Sequence, residues 1–201
     1  MAIWVKICGL TTREAVEAAV AVGADALGFV FAASKRQLSA TQAVQLSQGV
    51  PRHIPRVAVM LHPTQSQLDE AWSVFRPDVL QTDVEDLATL RLPPGLAVLP
   101  VIRNVARLKP DSHEHKRILF EGPVSGVGST SDWHSAAQLA RTAQLVLAGG
   151  LNATNLSDAI AAVRPFGVDV SSGVEASPGI KDPAKIHEFV RRARAVANGA
   201  G

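Results

Sequence analysis

An α/β fold of the (β/α)8 type, a TIM barrel forming a single compact domain over residues 1–201, is predicted by three features of the sequence. Eight short apolar runs punctuate the chain, stretches with helical spacing fill most of the gaps, and eight units in 201 residues leave about 25 residues each. Runs that read as continuously apolar belong to a parallel sheet covered on both faces. An open doubly wound sheet usually stops at five or six strands, so eight equal units favour closure.

The runs are Ile3–Ile7, Ala26–Phe31, Val57–Leu61, Val79–Leu80, Leu96–Ile102, Ile118–Phe120, Leu145–Ala148 and Val168–Val170. Helical spacing marks Thr12–Val22, Thr41–Val50, Ser66–Phe75, Asp132–Thr142, Asn155–Val163 and Pro183–Val196. Several of these begin with helix-start chemistry: Thr11-Thr12-Arg13-Glu14, Ser39, Thr64 and Asp182-Pro183. The fifth connection, Arg103–Lys109, is short and bounded by proline, which predicts a reduced turn in place of a full helix. Asn198–Gly201 is expected to fray.

Composition narrows the function classes. Twenty Lys and Arg against eighteen Asp and Glu give a net charge of +2, with no clustered basic face of the kind nucleic-acid binders carry. The densest basic run, Arg191, Arg192 and Arg194, reads as a solvated last helical turn. A hydrophobic fraction of 47% suits a buried core. The lone cysteine, Cys8, excludes an internal disulfide and a cysteine zinc site. With no 18-residue apolar run and no signal-peptide pattern at the start, the expectation is a cytoplasmic protein with neither membrane nor nucleic acid as partner.

In such barrels chemistry sits where the strands end. Two glycine-rich loops follow the last two strands, Ala148-Gly149-Gly150-Leu151-Asn152 and Asp169-Val170-Ser171-Ser172-Gly173-Val174-Glu175. Bare backbone N–H groups there can approach an oxyanion, helped by a helix N-terminus. Gly149, Gly150, Ser171, Ser172 and Gly173 are therefore candidate phosphate ligands, with Gly126, Gly128 and Ser129 a further wall. The plainer reading of Gly149-Gly150 is a chain turn.

Cys8 ends the first strand. A lone cysteine is often just a small buried apolar residue, but a strand-end thiolate could serve as base or nucleophile. That role requires a lowered pKa, for which Lys6 or Arg36 would be the cation. Glu121 ends the sixth strand beside Phe120. Apolar surroundings and the long loop Gly122–Ser131 would raise its pKa into the range of a general acid; the alternative is a loop cap or a pair with Arg103. Arg36, in the second βα loop, has a fork suited to a carboxylate or is simply solvated.

Val5-Lys6-Ile7-Cys8-Gly9-Leu10-Thr11 resembles the N-terminal signature of the phosphoribosylanthranilate isomerases of tryptophan biosynthesis. The resemblance continues through Gly28-Phe29-Val30-Phe31 with Ser34-Lys35-Arg36, Val101-Ile102-Arg103, Gly126-Val127-Gly128 with Asp132-Trp133, and Leu147–Asn152. It closes with Gly167–Asp182 and so spans almost the whole chain in order. It implies an Amadori rearrangement of N-(5-phosphoribosyl)anthranilate to 1-(2-carboxyphenylamino)-1-deoxyribulose 5-phosphate, without metal or organic cofactor. By position it assigns Cys8 as base, Arg36 to the anthranilate carboxylate, and the two glycine loops to phosphate.

This chain departs from the family pattern at three positions. Glu121 stands where the family usually has Asp, Asp83 where it has His, and His62 where it tends to have Asn. Other carboxylates open to the acid's role are Asp83, Asp132 and Asp169. The rival readings are another phosphoribosyl or ribulose-phosphate barrel enzyme, one of which would need a strand-end lysine such as Lys6, and an inactive phosphate-ligand binding barrel. The oligomeric state, monomer or homodimer, is left open.

Overall fold

The computed structural model describes residues 2–103, 116–122 and 132–199. Eight parallel strands close into a barrel in sequence order: β1 (Trp4–Cys8), β2 (Ala26–Val30), β3 (Arg56–Val59), β4 (Val79–Asp83), β5 (Ala97–Ile102), β6 (Arg117–Phe120), β7 (Gln144–Leu147) and β8 (Gly167–Val170). Closure is made by β1 against β8, with Lys6 opposite Asp169. Each strand overlaps one of the eight apolar runs.

Alternation along each strand divides the core in two. Val5, Ile7, Leu27, Phe29, Ile118, Phe120, Leu145, Leu147, Val168 and Val170 face outward into the large apolar layer under the helices. Leu99, Val101, Leu119, Val146 and Ala148 have the opposite parity and fill the barrel's inside. Both faces being buried is what makes the strands read as unbroken apolar runs.

The helices are α1 (Arg13–Ala21), α2 (Ala40–Leu46), α3 (Gln65–Val74), α4 (Trp133–Leu139), α5 (Leu156–Val163) and α6 (Pro183–Gly199). The helix-start signals in the sequence do what their chemistry suggests. Thr12 Oγ1 accepts from Ala15 N–H, and Ser39 and Thr64 each form a capping box, with Gln42 and Gln67 respectively. Asp182 Oδ1 accepts from the N–H groups of Ala184 and Lys185, with Pro183 opening the helix.

Differences from expectation lie in the connections. The fourth is a 3-10 helix, Val84–Ala88, where the sequence carries no helical period. The loop after β8 contains a small antiparallel pair, β9 (Glu175–Ser177) and β10 (Ile180–Lys181). Residues 104–115, on which the reduced fifth turn was expected, fall outside the described residues. Of the end expected to fray, Asn198 and Gly199 belong to α6, and residues 200–201 fall outside the described residues. Arg191, Arg192 and Arg194 therefore lie within α6; the first two pair with Glu188, and Arg194 ties the helix to Ile3, Gly23 and Asp25. They are structural ties, not a basic face.

At the N-terminal end of the barrel, the Arg117 guanidinium stacks 4.3 Å from the Phe166 ring centre and 5.1 Å from that of Trp4. That end is a packed floor. No helix among the described residues is long and apolar enough to cross a membrane.

Candidate active site

The opposite end, where the strands finish, carries the ionisable groups. Cys8 closes β1 and is 6% exposed. Its neighbour across the β1–β2 pair is Gly28, and a Cβ placed on Gly28 would lie 3.0 Å from Cys8 Sγ and 3.1 Å from Lys6 Nζ. The bare glycine therefore makes room for both side chains on the inside of the barrel. Lys6 Nζ, fully buried, donates to Asp169 Oδ1 at 2.8 Å. Burial opposes its charge, yet Asp169, with a smaller contribution from Cys8, holds Lys6 above its ordinary value.

The thiol's environment corrects an expectation. Burial pushes the Cys8 thiol up, and the pull of Lys6, helped by Lys181, offsets this only in part; Asp169 adds to the rise. Lys6 is thus the cation beside the thiol, but desolvation outweighs it. Arg36 also feels the Cys8 charge, but its main engagement is with Glu175.

Arg36 is engaged elsewhere. Its Nε donates to Glu175 Oε1 at 2.6 Å and its Nη2 to Oε2 at 3.0 Å, a bidentate pair joining the second and eighth loops. A Cβ on Gly9 would sit 2.5 Å from Arg36 Cδ, so the absence of a side chain there lets the arginine stem lie over the end of β1. Lys181 Nζ donates to Glu175 Oε1 at 2.8 Å. Burial works against the Glu175 charge, but the bonds from Arg36 and Lys181 hold its carboxyl down at about 2. Arg36 is accordingly not a solvated loop residue. It already grips a carboxylate.

Glu121, following β6, pairs with Arg103: Nη1 donates to Oε2 at 3.2 Å. The expected apolar setting is absent because strand alternation turns Phe120 outward into the layer beneath the helices. Most of the loop that was expected to close over it, with Gly126, Gly128 and Ser129, lies outside the described residues. Of the other carboxylates, Asp132 is exposed and caps α4 through His134 N–H and Ser135 N–H. Asp169 is held by Lys6 inside the barrel, and Asp83 accepts from Arg103 Nε through both oxygens, at 2.9 and 3.0 Å. His62, 68% exposed at the side chain, sits at a φ of +47° with its ring against Asp86.

The two glycine loops lie side by side. Gly149 and Gly150 take φ of +85° and +63°, conformations that favour glycine. A Cβ on Gly173 would come within 1.9 Å of the Leu151 carbonyl oxygen, so these loops touch backbone to backbone at that point. Ser171 is fixed by Lys181 Nζ, which donates to its carbonyl at 3.0 Å and its hydroxyl at 3.2 Å. Ser172 continues the same loop, where its carbonyl accepts from Glu175 N–H. Lys181 and Glu175 had no role assigned from sequence, although both lie in the quoted Gly167–Asp182 segment. Their joining depends on the β9–β10 turn.

Fold and mouth together define a barrel enzyme: a (β/α)8 scaffold whose strand ends carry a buried thiol, paired carboxylates and glycine-lined loops. The chain belongs to the phosphoribosylanthranilate isomerase family: residues 5–192 match the family model described as N-(5'phosphoribosyl)anthranilate (PRA) isomerase. It is 40% identical over 194 residues to the N-(5'-phosphoribosyl)anthranilate isomerase of Streptococcus gordonii, covering 94% of this chain and 97% of that one. The crystal structure of the Thermotoga maritima phosphoribosyl anthranilate isomerase superposes with a TM-score of 0.84 at 33% identity, over 96% of this chain and 99% of that one. Another structure of such an isomerase, in complex with reduced 1-(o-carboxyphenylamino)-1-deoxyribulose 5-phosphate, gives 0.80 at 32% identity over the same shares.

Proposed function

We propose that this chain is a cytoplasmic N-(5'-phosphoribosyl)anthranilate isomerase of tryptophan biosynthesis, with Cys8 as general base and Glu121 as general acid. The carrying observation is the meeting of strand-end groups at one mouth: the charges of both Cys8 and Glu121 act on Arg36, which lies over the end of β1. Glu121 protonates the ring oxygen of the phosphoribosyl group, and the C1′–O4′ bond breaks as the anilino nitrogen supplies its lone pair, leaving an iminium ion. The Cys8 thiolate takes the proton from C2′, the C–H electrons form the C1′–C2′ double bond, and the iminium nitrogen is neutralised. The enolamine then takes a proton at C1′ and loses that of the C2′ hydroxyl, giving the ketone. Only protons move, so the reaction as written calls for no metal or organic cofactor.

Arg36 receives the anthranilate carboxylate, while Gly149, Gly150, Ser171, Ser172 and Gly173 receive the phosphate. Burial raises the thiol. A bound substrate that is itself a cation at the iminium stage favours the thiolate when it is needed. The rival that needs a strand-end lysine is disfavoured because Lys6 Nζ is fully buried against Asp169.

The test is the loss of anthranilate-type substrate fluorescence with purified protein. Turnover with wild type, none with Glu121→Gln and residual turnover with Glu121→Asp is the expected pattern. Binding without turnover in the wild type identifies an inactive phosphate-ligand barrel instead.

A further inference from the structure

The mouth carries an ionic chain that the acid–base scheme above does not use. Asp83 ends β4, Arg103 follows β5 and Glu121 follows β6, so three consecutive strand ends contribute one side chain each. Arg103 Nε bridges both oxygens of Asp83 at 2.9 and 3.0 Å, and Arg103 Nη1 reaches Glu121 Oε2 at 3.2 Å. Asp83 is buried, and the Arg103 and Glu121 side chains are mostly so.

A general acid needs one oxygen aimed at its acceptor and a charge balance that does not strip its proton early. By bonding Oε2, Arg103 constrains the direction in which Glu121 presents its carboxyl group. A guanidinium acting alone would favour the carboxylate over the acid. Asp83 cancels much of that pull by accepting from Nε of the same guanidinium through both oxygens.

We infer that Arg103, held by Asp83, is a positioning residue for the general acid: it orients Glu121 through one oxygen while Asp83 balances its charge. The inference rests on the reading of Glu121 as the acid. The other charged groups facing this chain among the described residues are His62 and Asp86. His62 Nε2 lies 3.8 Å from Asp83 Oδ2, and its Nδ1 lies 2.9 Å from Asp86 Oδ1. Arg36 acts on Glu121 from the second loop.

The experiment is steady-state kinetics across pH for Arg103→Met, Arg103→Lys and Asp83→Asn, with Glu121→Gln as reference and thermal melts to confirm folding. Arg103→Met lowers kcat on the order of 100-fold with KM changed by no more than about twofold. The limb of the pH profile that Glu121 sets moves up by about one pH unit. Asp83→Asn moves that limb down by about one unit, because the unbalanced guanidinium then favours the carboxylate. Arg103→Lys, which keeps charge and loses the fork, restores part of kcat. If Glu121→Gln is inactive while Arg103→Met keeps the wild-type kcat and profile, the inference is overturned and the acid's assignment stands. If Glu121→Gln itself keeps the wild-type kcat, both fall. Should Arg103→Met fail to fold, wild-type kcat and unmoved limbs in Arg103→Lys and Asp83→Asn overturn the inference.

Discussion

Lys6 and Asp169 face each other across the β1–β8 seam, with Nζ to Oδ1 at 2.8 Å and the ammonium fully buried beside the thiol of Cys8. A lysine can be retained there only because its charge is matched, since an unpaired buried ion is strongly disfavoured.

Lys6→Met therefore leaves the Asp169 carboxylate without its partner in the barrel interior. Urea unfolding should show a loss of about 3–5 kcal/mol, with Lys6→Met/Asp169→Asn recovering much of it. A single variant as stable as wild type would mean the pair is not desolvated.

For Cys8, replacement by Ser should cut turnover by on the order of 100-fold or more, because a hydroxyl is a far weaker base, with little change in stability. Its titration adds a second test. Burial raises the thiol above its ordinary value of 9.0, so above that pH the unfolded chain has released a proton the folded one retains. Stability is then lost as pH rises past about 9. Cys8→Ala should flatten this alkaline decline relative to wild type in unfolding series from pH 7 to 10; identical slopes would count against the burial argument.

Glu175 works in the opposite sense. Its carboxyl is held at about 2 against an ordinary 4.5, so the stabilisation is fully present above pH 4.5 and disappears as pH falls toward 2. Glu175→Gln should cost about 2 kcal/mol at pH 7, with the difference from wild type closing toward pH 2. It should also loosen Arg36 and raise KM. A destabilisation that persists unchanged at pH 2 would assign the effect to packing.

Gly173→Ala places a methyl group where the Leu151 carbonyl already stands, 1.9 Å away. Backbone must move, so a stability loss of about 2 kcal/mol is expected, together with a raised KM as the two glycine loops separate. Unaltered kinetics would remove this contact from phosphate binding.

The strands were legible because each is buried on both sides and so is written as an unbroken apolar run, and the helices because Thr12, Ser39, Thr64 and Asp182 cap them locally. The placement of Cys8, Arg36 and the glycine loops at the strand ends was legible from position and motif. What was not legible was pairing at a distance. Arg36 and Glu175 are 139 residues apart, and Asp83 meets Arg103 only because β4 and β5 are neighbours in the closed sheet. The direction of the thiol's shift was misjudged for the same reason: the nearby cation is visible in the chain two residues away, whereas the water excluded around it depends on all eight strands.

The clasp of Glu175 on Arg36 has a consequence for traffic through the mouth. A long flexible guanidinium ordinarily surrenders its freedom when an anion arrives and regains it when the anion leaves. Here that freedom has already been given up during folding, so under the proposed role of Arg36 the capture and release of a small acid would disturb the receptor little, and the cost of rigidity would fall on folding, not on each encounter.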